Sequence, residues 1–302
     1  MRVLVTGGKG VVGTNLVKRL ETNGHQVWVC DLKHSHDNNY YRCDIGNYRQ
    51  LLSLFKRQSF DYVYHLAAEF GRWNGEAYYE NLWQTNAIGT KNLLSLQADY
   101  GFKMIYTSSS EVYGDYDGIM AEEVMEKLEI KQLNDYAISK WVNELQINNA
   151  RHTSGNQIMT VRLFNTYGPG EYYTPFRSAV CVFCYKALHN QPYTVFLNHT
   201  RSSLFIDDCT YALSALIPGF QDGATYNLAG CEVHSMKDVS DMILSYLGMD
   251  DSLVQYMDEE PFTTKNKVAD TSSARNAIGF SPRVKLKEGI PLTIEWMKKV
   301  YR

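Results

Sequence analysis

The sequence predicts an α/β protein, a doubly wound parallel sheet followed by a smaller mixed α/β unit. Three observations carry this. Short apolar runs alternate with stretches of helical period through the first half of the 302 residues. A glycine-rich turn, Thr6-Gly7-Gly8-Lys9-Gly10-Val11-Val12-Gly13, stands between the first apolar run and the first helix. After Gly168-Pro169-Gly170 the pattern loosens into shorter strands mixed with helices. Continuous apolar strands alternating with helices belong to a parallel sheet covered on both faces.

Residues 2–6 (RVLVT) form the first strand, and helical periodicity follows through Leu16, Val17 and Leu20. Residues 26–31 (QVWVCD), 62–68 (YVYHLAA), 103–109 (KMIYTSS) and 158–165 (IMTVRLFN) continue the strand series. Helices separate them near residues 48–57, 79–100 and 134–151. In the second half, strands are expected at 193–196, 204–206 and 225–228. Helices are expected at 176–189, 209–217 and 235–247, with a final amphipathic one at 286–300. The chain therefore divides into a first unit, 1–167, and a second, 168–302, with segments crossing between them and no flexible linker.

Thirty basic against 33 acidic side chains leave a net charge of −3, which speaks against nucleic acid or an anionic membrane surface as partner. No apolar run reaches the ~18 residues of a membrane span, and the opening Met1-Arg2-Val3-Leu4-Val5 is strand-like and lacks the anatomy of a signal peptide. Six scattered cysteines suit reduced thiols, so a cytoplasmic protein is expected. Cys181-Val-Phe-Cys184 has the spacing of a metal or redox pair. It lies in an apolar helical run without a second pair, and is read as two small core residues with no metal site.

The glycine turn carries the first chemistry. Gly7 suits a tight turn, Gly10 a close approach of backbone to a pyrophosphate, and Gly13 close packing of helix on strand. Free N–H groups at the helix start then face the phosphates. Asp31 ends the next strand, 18 positions beyond Gly13, where a carboxylate accepts hydrogen bonds from an adenosine ribose. A 2′-phosphate would meet that negative charge, so NAD is expected over NADP, although Lys33 lies nearby. Asp44-Ile45 is placed to meet the adenine; Asp44 also suits an acid ahead of a helix cap at Asn47.

Tyr136 and Lys140 lie one helical turn apart. A tyrosine of pKa ~10 is a poor base at neutral pH unless a cation stabilises its phenolate. With 22 tyrosines the spacing is cheap. Its position gives it weight, after the glycine turn, after Asp31, and after Ser108-Ser109-Ser110 at a strand's carboxyl end, where such sheets bind ligands.

Taken together, TGGKGVVG (6–13), LAA (66–68), TNAIGTKNL (85–93), SSSEVYG (108–114), YAISK (136–140), RLFNTYGPG (162–170), TRSSLFIDD (200–208) and ADTSSARNAIGFSP (269–282) resemble the extended short-chain dehydrogenase/reductase family, in its nucleotide-sugar epimerase/dehydratase branch. The resemblance implies a Rossmann-type NAD-binding domain, 1–167, and a nucleotide-sugar-binding domain, 168–302. It places Val11, Val12, Leu66, Ala67, Ala68 and Asn86 against the cofactor, beside the residues already named. It implies Tyr136 as the base for the sugar 4-hydroxyl, Lys140 as holder of the nicotinamide ribose, and Ser109 as partner of the 4-oxygen. Ser110 and Glu111 complete the catalytic set, with Glu111 a carboxylate base for C5. Asn165, Arg177, Arg201 and Lys267 would bind the substrate, Lys267 at the diphosphate. A 4-keto sugar forms and NAD is regenerated, giving epimerisation or dehydration. Decarboxylation of the UDP-glucuronate type, NADPH-dependent keto-sugar reduction and non-catalytic dinucleotide sensing are the alternatives. A homodimer joined through helices 79–100 and 134–151 is also implied.

The sequence departs from the family pattern in places. Leu133-Asn134-Asp135 stands where proline usually precedes the YxxxK helix, Leu197-Asn198-His199 where a Gly-Asp/Ser-Gly turn is usual, and Lys267 where relatives carry arginine. Phe70-Gly71-Arg72-Trp73-Asn74-Gly75, after LAA, reads either as a lid bordering the site or as a surface connection.

Overall fold

The structure, a computed structural model, describes residues 1–301. Seven strands form one parallel sheet: β1 (Arg2–Thr6), β2 (Gln26–Asp31), β3 (Tyr40–Arg42), β4 (Tyr62–His65), β5 (Lys103–Ser109), β6 (Ile158–Leu163) and β7 (Thr225–Leu228). Their spatial order is β3-β2-β1-β4-β5-β6-β7. The order reverses between β1 and β4, and a crevice opens there at the strands' carboxyl ends. The pleat sends alternate residues to opposite faces. Val3 and Val5 join Leu16, Leu20, Ile105 and Leu213 on one side, under the helices Val11–Thr22 and Ile206–Ala215. Leu4 joins Leu51, Leu54, Val63, Leu93 and Ile147 on the other, under Tyr48–Arg57, Gly89–Tyr100 and Asp135–Ser154. This is the Rossmann-type architecture.

Local chemistry sets the element ends. Asn47 accepts the Gln50 N–H and caps Tyr48–Arg57; Asn134 accepts the Ala137 N–H at 2.8 Å and caps Asp135–Ser154, filling the place where a proline turn is usual. Strand β4 ends at His65, before the expected 68: Leu66 N–H still reaches the Thr6 carbonyl, but Ala67 N–H turns to the Thr6 hydroxyl. The expected helix 79–100 contains a π turn, Gln84–Ile88, between Tyr79–Trp83 and Gly89–Tyr100.

A second core gathers Ala179–Leu188, Met236–Leu247 and Leu286–Val300 around Val195 and Phe205. Cys181 and Cys184 lie buried in it as free thiols. Strand Tyr193–Phe196 pairs there with Val254–Met257. The chain crosses between the two bodies in both directions. Thr225–Leu228, read from sequence among the second-unit strands, is the edge of the large sheet, paired with Ile158–Leu163. Ile119–Met120 instead joins a small sheet with Asn266–Ala269, Thr200–Arg201 and His234–Ser235. Among the described residues no helix is long and apolar enough to cross a membrane.

Candidate active site

The crevice holds the glycine turn on one wall. Gly7 has φ +68°, and a Cβ there would come 2.7 Å from the Ala67 backbone nitrogen. A Cβ on Gly13 would come 2.6 Å from the Gly8 Cα. Gly10 begins Val11–Thr22 with no side-chain cap and no acid in the first turn, so the helix start presents N–H groups to an anion. At the end of β2, Asp31 accepts Lys9 N–H at 2.9 Å and Lys33 N–H at 3.1 Å, which fixes its carboxylate beside the turn. A cradle too tight for any Cβ, an uncapped helix start and a held carboxylate fit a dinucleotide with a free 2′-hydroxyl.

The other residues expected at the cofactor are placed less uniformly. Val11 and Val12 are half-buried where the two main cores meet. Leu66, Ala67 and Ala68 follow β4 into the crevice. Asp44 accepts Gly46 N–H at 2.8 Å, and the Ile45 side chain is buried. Asn86 spends its amide elsewhere: Oδ1 accepts from Glu69 N–H, and Nδ2 donates to the Glu69 carbonyl and the Ser139 hydroxyl. It therefore braces the segment after β4 against the Tyr136 helix.

Ser109, at the end of β5, lies beside the Tyr136 phenol. Burial pushes Tyr136 up to about 12, opposed by the Ser109 hydroxyl. Burial pulls Lys140 down to about 7, opposed by Glu144. The Lys140 ammonium donates to the Thr107 carbonyl at 2.8 Å and stands 5.9 Å from the Tyr136 ring centre. Beneath them Glu144 and Arg162 form a bidentate buried pair at 3.1 and 2.8 Å. Ser108 donates to Glu144, Arg162 donates to the Tyr113 hydroxyl, and Tyr113 donates to Asn227. This network, which sequence reasoning missed, locks the serine strand end to the Tyr136 helix. Ser110 is buried at the start of the short turn Ser110–Tyr113.

Glu111 sits among cations. Lys267, fully buried, donates to its carboxylate, and Arg72 Nε lies 4.0 Å away. Burial raises the Glu111 carboxyl, but the charges of Lys267, Arg72 and Arg201 outweigh it and hold the group at about 2. Lys267, which the resemblance implies at the diphosphate, has its ammonium against the Glu111 carboxylate. Arg201, pulled down to about 10 by burial, gives Nη1 to the carbonyls of Thr200 and Lys265. Asn165 adopts φ +32° and keeps a buried Oδ1 without a partner, while Arg177 lies 4.1 Å over the Phe70 ring with a buried, unpaired Nε. Both carry spare polar capacity for a ligand. Glu260, bonded to Arg72 and Trp73, closes the charged group from a loop 149 positions beyond Glu111, and no local pattern in the sequence marks it.

The fold and the glycine turn together define a dinucleotide-dependent enzyme, with Ser109, Tyr136 and Lys140 gathered on the strand-end side of its sheet. A model of the NAD dependent epimerase/dehydratase family matches residues 3–229. UDP-glucuronic acid decarboxylase 6 of Arabidopsis thaliana is 30% identical, over 98% of this chain and 88% of that protein. The dTDP-glucose 4,6-dehydratase of Streptomyces niveus is 27% identical, over 99% of this chain and 93% of that one. The solved UDP-glucuronic acid 4-epimerase of Bacillus cereus, in complex with UDP-glucuronic acid and NAD, superposes with a TM-score of 0.88 at 25% identity, covering all of both chains. This chain belongs to the NAD dependent epimerase/dehydratase family and is an NAD-dependent nucleotide-sugar enzyme.

Proposed function

We propose that the chain acts on a UDP-linked hexuronate and removes its carboxylate after oxidation at C4. The carrying observation is the Glu111 carboxylate paired with Lys267, with Arg72 Nε 4.0 Å away, beside Ser109 and Tyr136. Such a cation-rich pocket favours an acidic sugar.

NAD, when bound, supplies the acceptor and then the donor of the C4 hydride. Tyr136 takes the 4-hydroxyl proton, Ser109 orients the oxygen, and Lys140 offsets the phenolate charge. A ketone at C4 makes the C5 carboxylate a β-keto acid. The C5–carboxylate bond then breaks, CO₂ leaves, and the electron pair passes to the 4-oxygen, which Ser109 and Tyr136 stabilise. Lys267 and Glu111 are the proton-exchanging pair for C5. Incubation with a panel of UDP-sugars, read by mass, tests the reading. Loss of CO₂ from UDP-glucuronate is expected, and loss of water from UDP-glucose overturns it. Epimerisation of the same hexuronate, without mass change, is a second reading that the likeness to the B. cereus 4-epimerase favours.

The protein is further proposed to be cytoplasmic and a homodimer. Ile88 and Leu145 lie exposed on the two helical segments expected to form the interface. Light scattering that gives a monomer at micromolar concentration contradicts the dimer.

A further inference from the structure

Resting on the reading of an acidic sugar, we propose that Arg72 recognises the sugar carboxylate, and that Glu260 holds its guanidinium until the substrate arrives. Arg72 opens the short helix Arg72–Ala77, immediately after Gly71 in the segment following β4. Its Nη2 donates to Glu260 Oε2 at 2.9 Å, its Nε lies 4.0 Å from Glu111, and its Nη1 is buried with no partner. A guanidinium carries five N–H donors in a planar fork shaped for carboxylates, and leaving a buried one unpaired is costly.

The neighbouring cations are committed in other ways. Lys267 is taken by Glu111, and Arg201 gives Nη1 to two backbone carbonyls. Arg177 also has an unpaired N–H, but it is stacked on Phe70, and the ion pairs of Glu111 are with Lys267 and Arg72. Arg72 is both beside Glu111 and unsatisfied.

Glu260 behaves as a resident carboxylate on this fork. Its second oxygen accepts from the Trp73 indole at 3.2 Å, and its own N–H donates to His199 Nε2 at 2.8 Å. Trp73 meets the Phe262 ring edge-on, and the Phe262 carbonyl accepts from Asn134, the cap of the catalytic helix. The clasp thus joins the segment after β4, the loop around residue 260 and the start of the Tyr136 helix. A substrate carboxylate competes with Glu260 for the same donors.

The test compares UDP-glucuronate with UDP-glucose on the full-length NAD-loaded enzyme, by kcat/KM and by calorimetric binding to the Tyr136→Phe variant. Arg72→Gln is expected to lower the acid-to-neutral selectivity ratio roughly ten- to a hundredfold, the range for hydrogen bonds to a charged group. Glu260→Gln, which removes the competing charge, is expected to raise that ratio. Equal losses for both sugars in Arg72→Gln, or an unchanged ratio in both variants, overturn the proposal and leave the broader reading standing. Wild-type protein that binds neither sugar nucleotide overturns both.

Discussion

The Glu111–Lys267 pair makes a quantitative prediction for Glu111→Gln. The carboxyl is held at about 2 against an ordinary 4.5, which corresponds to about 3 kcal/mol in favour of the ionised, folded state. Removing one partner of a buried pair leads to a similar figure, ~3–5 kcal/mol, because Lys267 is left enclosed without a counter-charge. A folded pKa below the unfolded one contributes stability that is complete above pH 4.5 and is lost as the pH falls towards 2. The variant is therefore expected to melt about 5 °C below wild type at pH 7 for a chain of this length. At pH 3 the gap narrows to about 2 °C, since most of the native advantage is gone by then. Paired calorimetric scans in matched buffers read it directly. A gap under 1 °C at pH 7, or one that stays constant between pH 7 and pH 3, refutes the assignment of Glu111 as a strongly ion-paired carboxylate.

Three further outcomes are expected. Tyr136→Phe keeps the buried ring but removes the proton acceptor, so turnover falls ~10²- to 10⁴-fold while NAD content, read by release on denaturation, is retained. Wild-type-like turnover removes Tyr136 from the chemistry. Gly13→Ala drives a Cβ to 2.6 Å from the Gly8 Cα and is expected to cost both NAD retention and melting temperature; an unchanged cofactor titration counts against the cradle. Asp31→Ala removes the acceptor beside the glycine turn and should weaken NAD ~10- to 100-fold while improving NADP relative to NAD. Isothermal titration with each dinucleotide checks this, and parallel losses for both would dissociate Asp31 from the ribose.

Local chemistry explains what could be read from the sequence. The helices Tyr48–Arg57 and Leu286–Val300 have the bounds that periodicity predicted, because their apolar stripes stop where the burial stops. The glycine turn was legible because φ +68° at Gly7 and a Cβ-free approach at Gly13 restrict residue type by themselves. The π turn at Gln84–Ile88 was not, since the side chain it carries, Asn86, answers to Glu69 and Ser139, 17 and 53 positions away. The pairing of Lys267 with Glu111 was not legible either. The partners lie 156 positions apart, and only the joining of Asn266–Ala269 to Ile119–Met120 brings the two together. Strand Thr225–Leu228, four residues long, carried no mark of the sheet to which it belongs.

That strand has a consequence for how the molecule can be divided. With Thr225–Leu228 sealing one sheet and Ile119–Met120 lent to another, the two bodies are sewn together by exchanged backbone. A fragment ending near residue 167 would leave Ile158–Leu163, buried along most of its length, as a raw apolar border inviting association between copies. The two bodies therefore stand or fall together. A chimera that trades the carboxyl-terminal half between relatives needs to carry both exchanged strands with it, not a single splice.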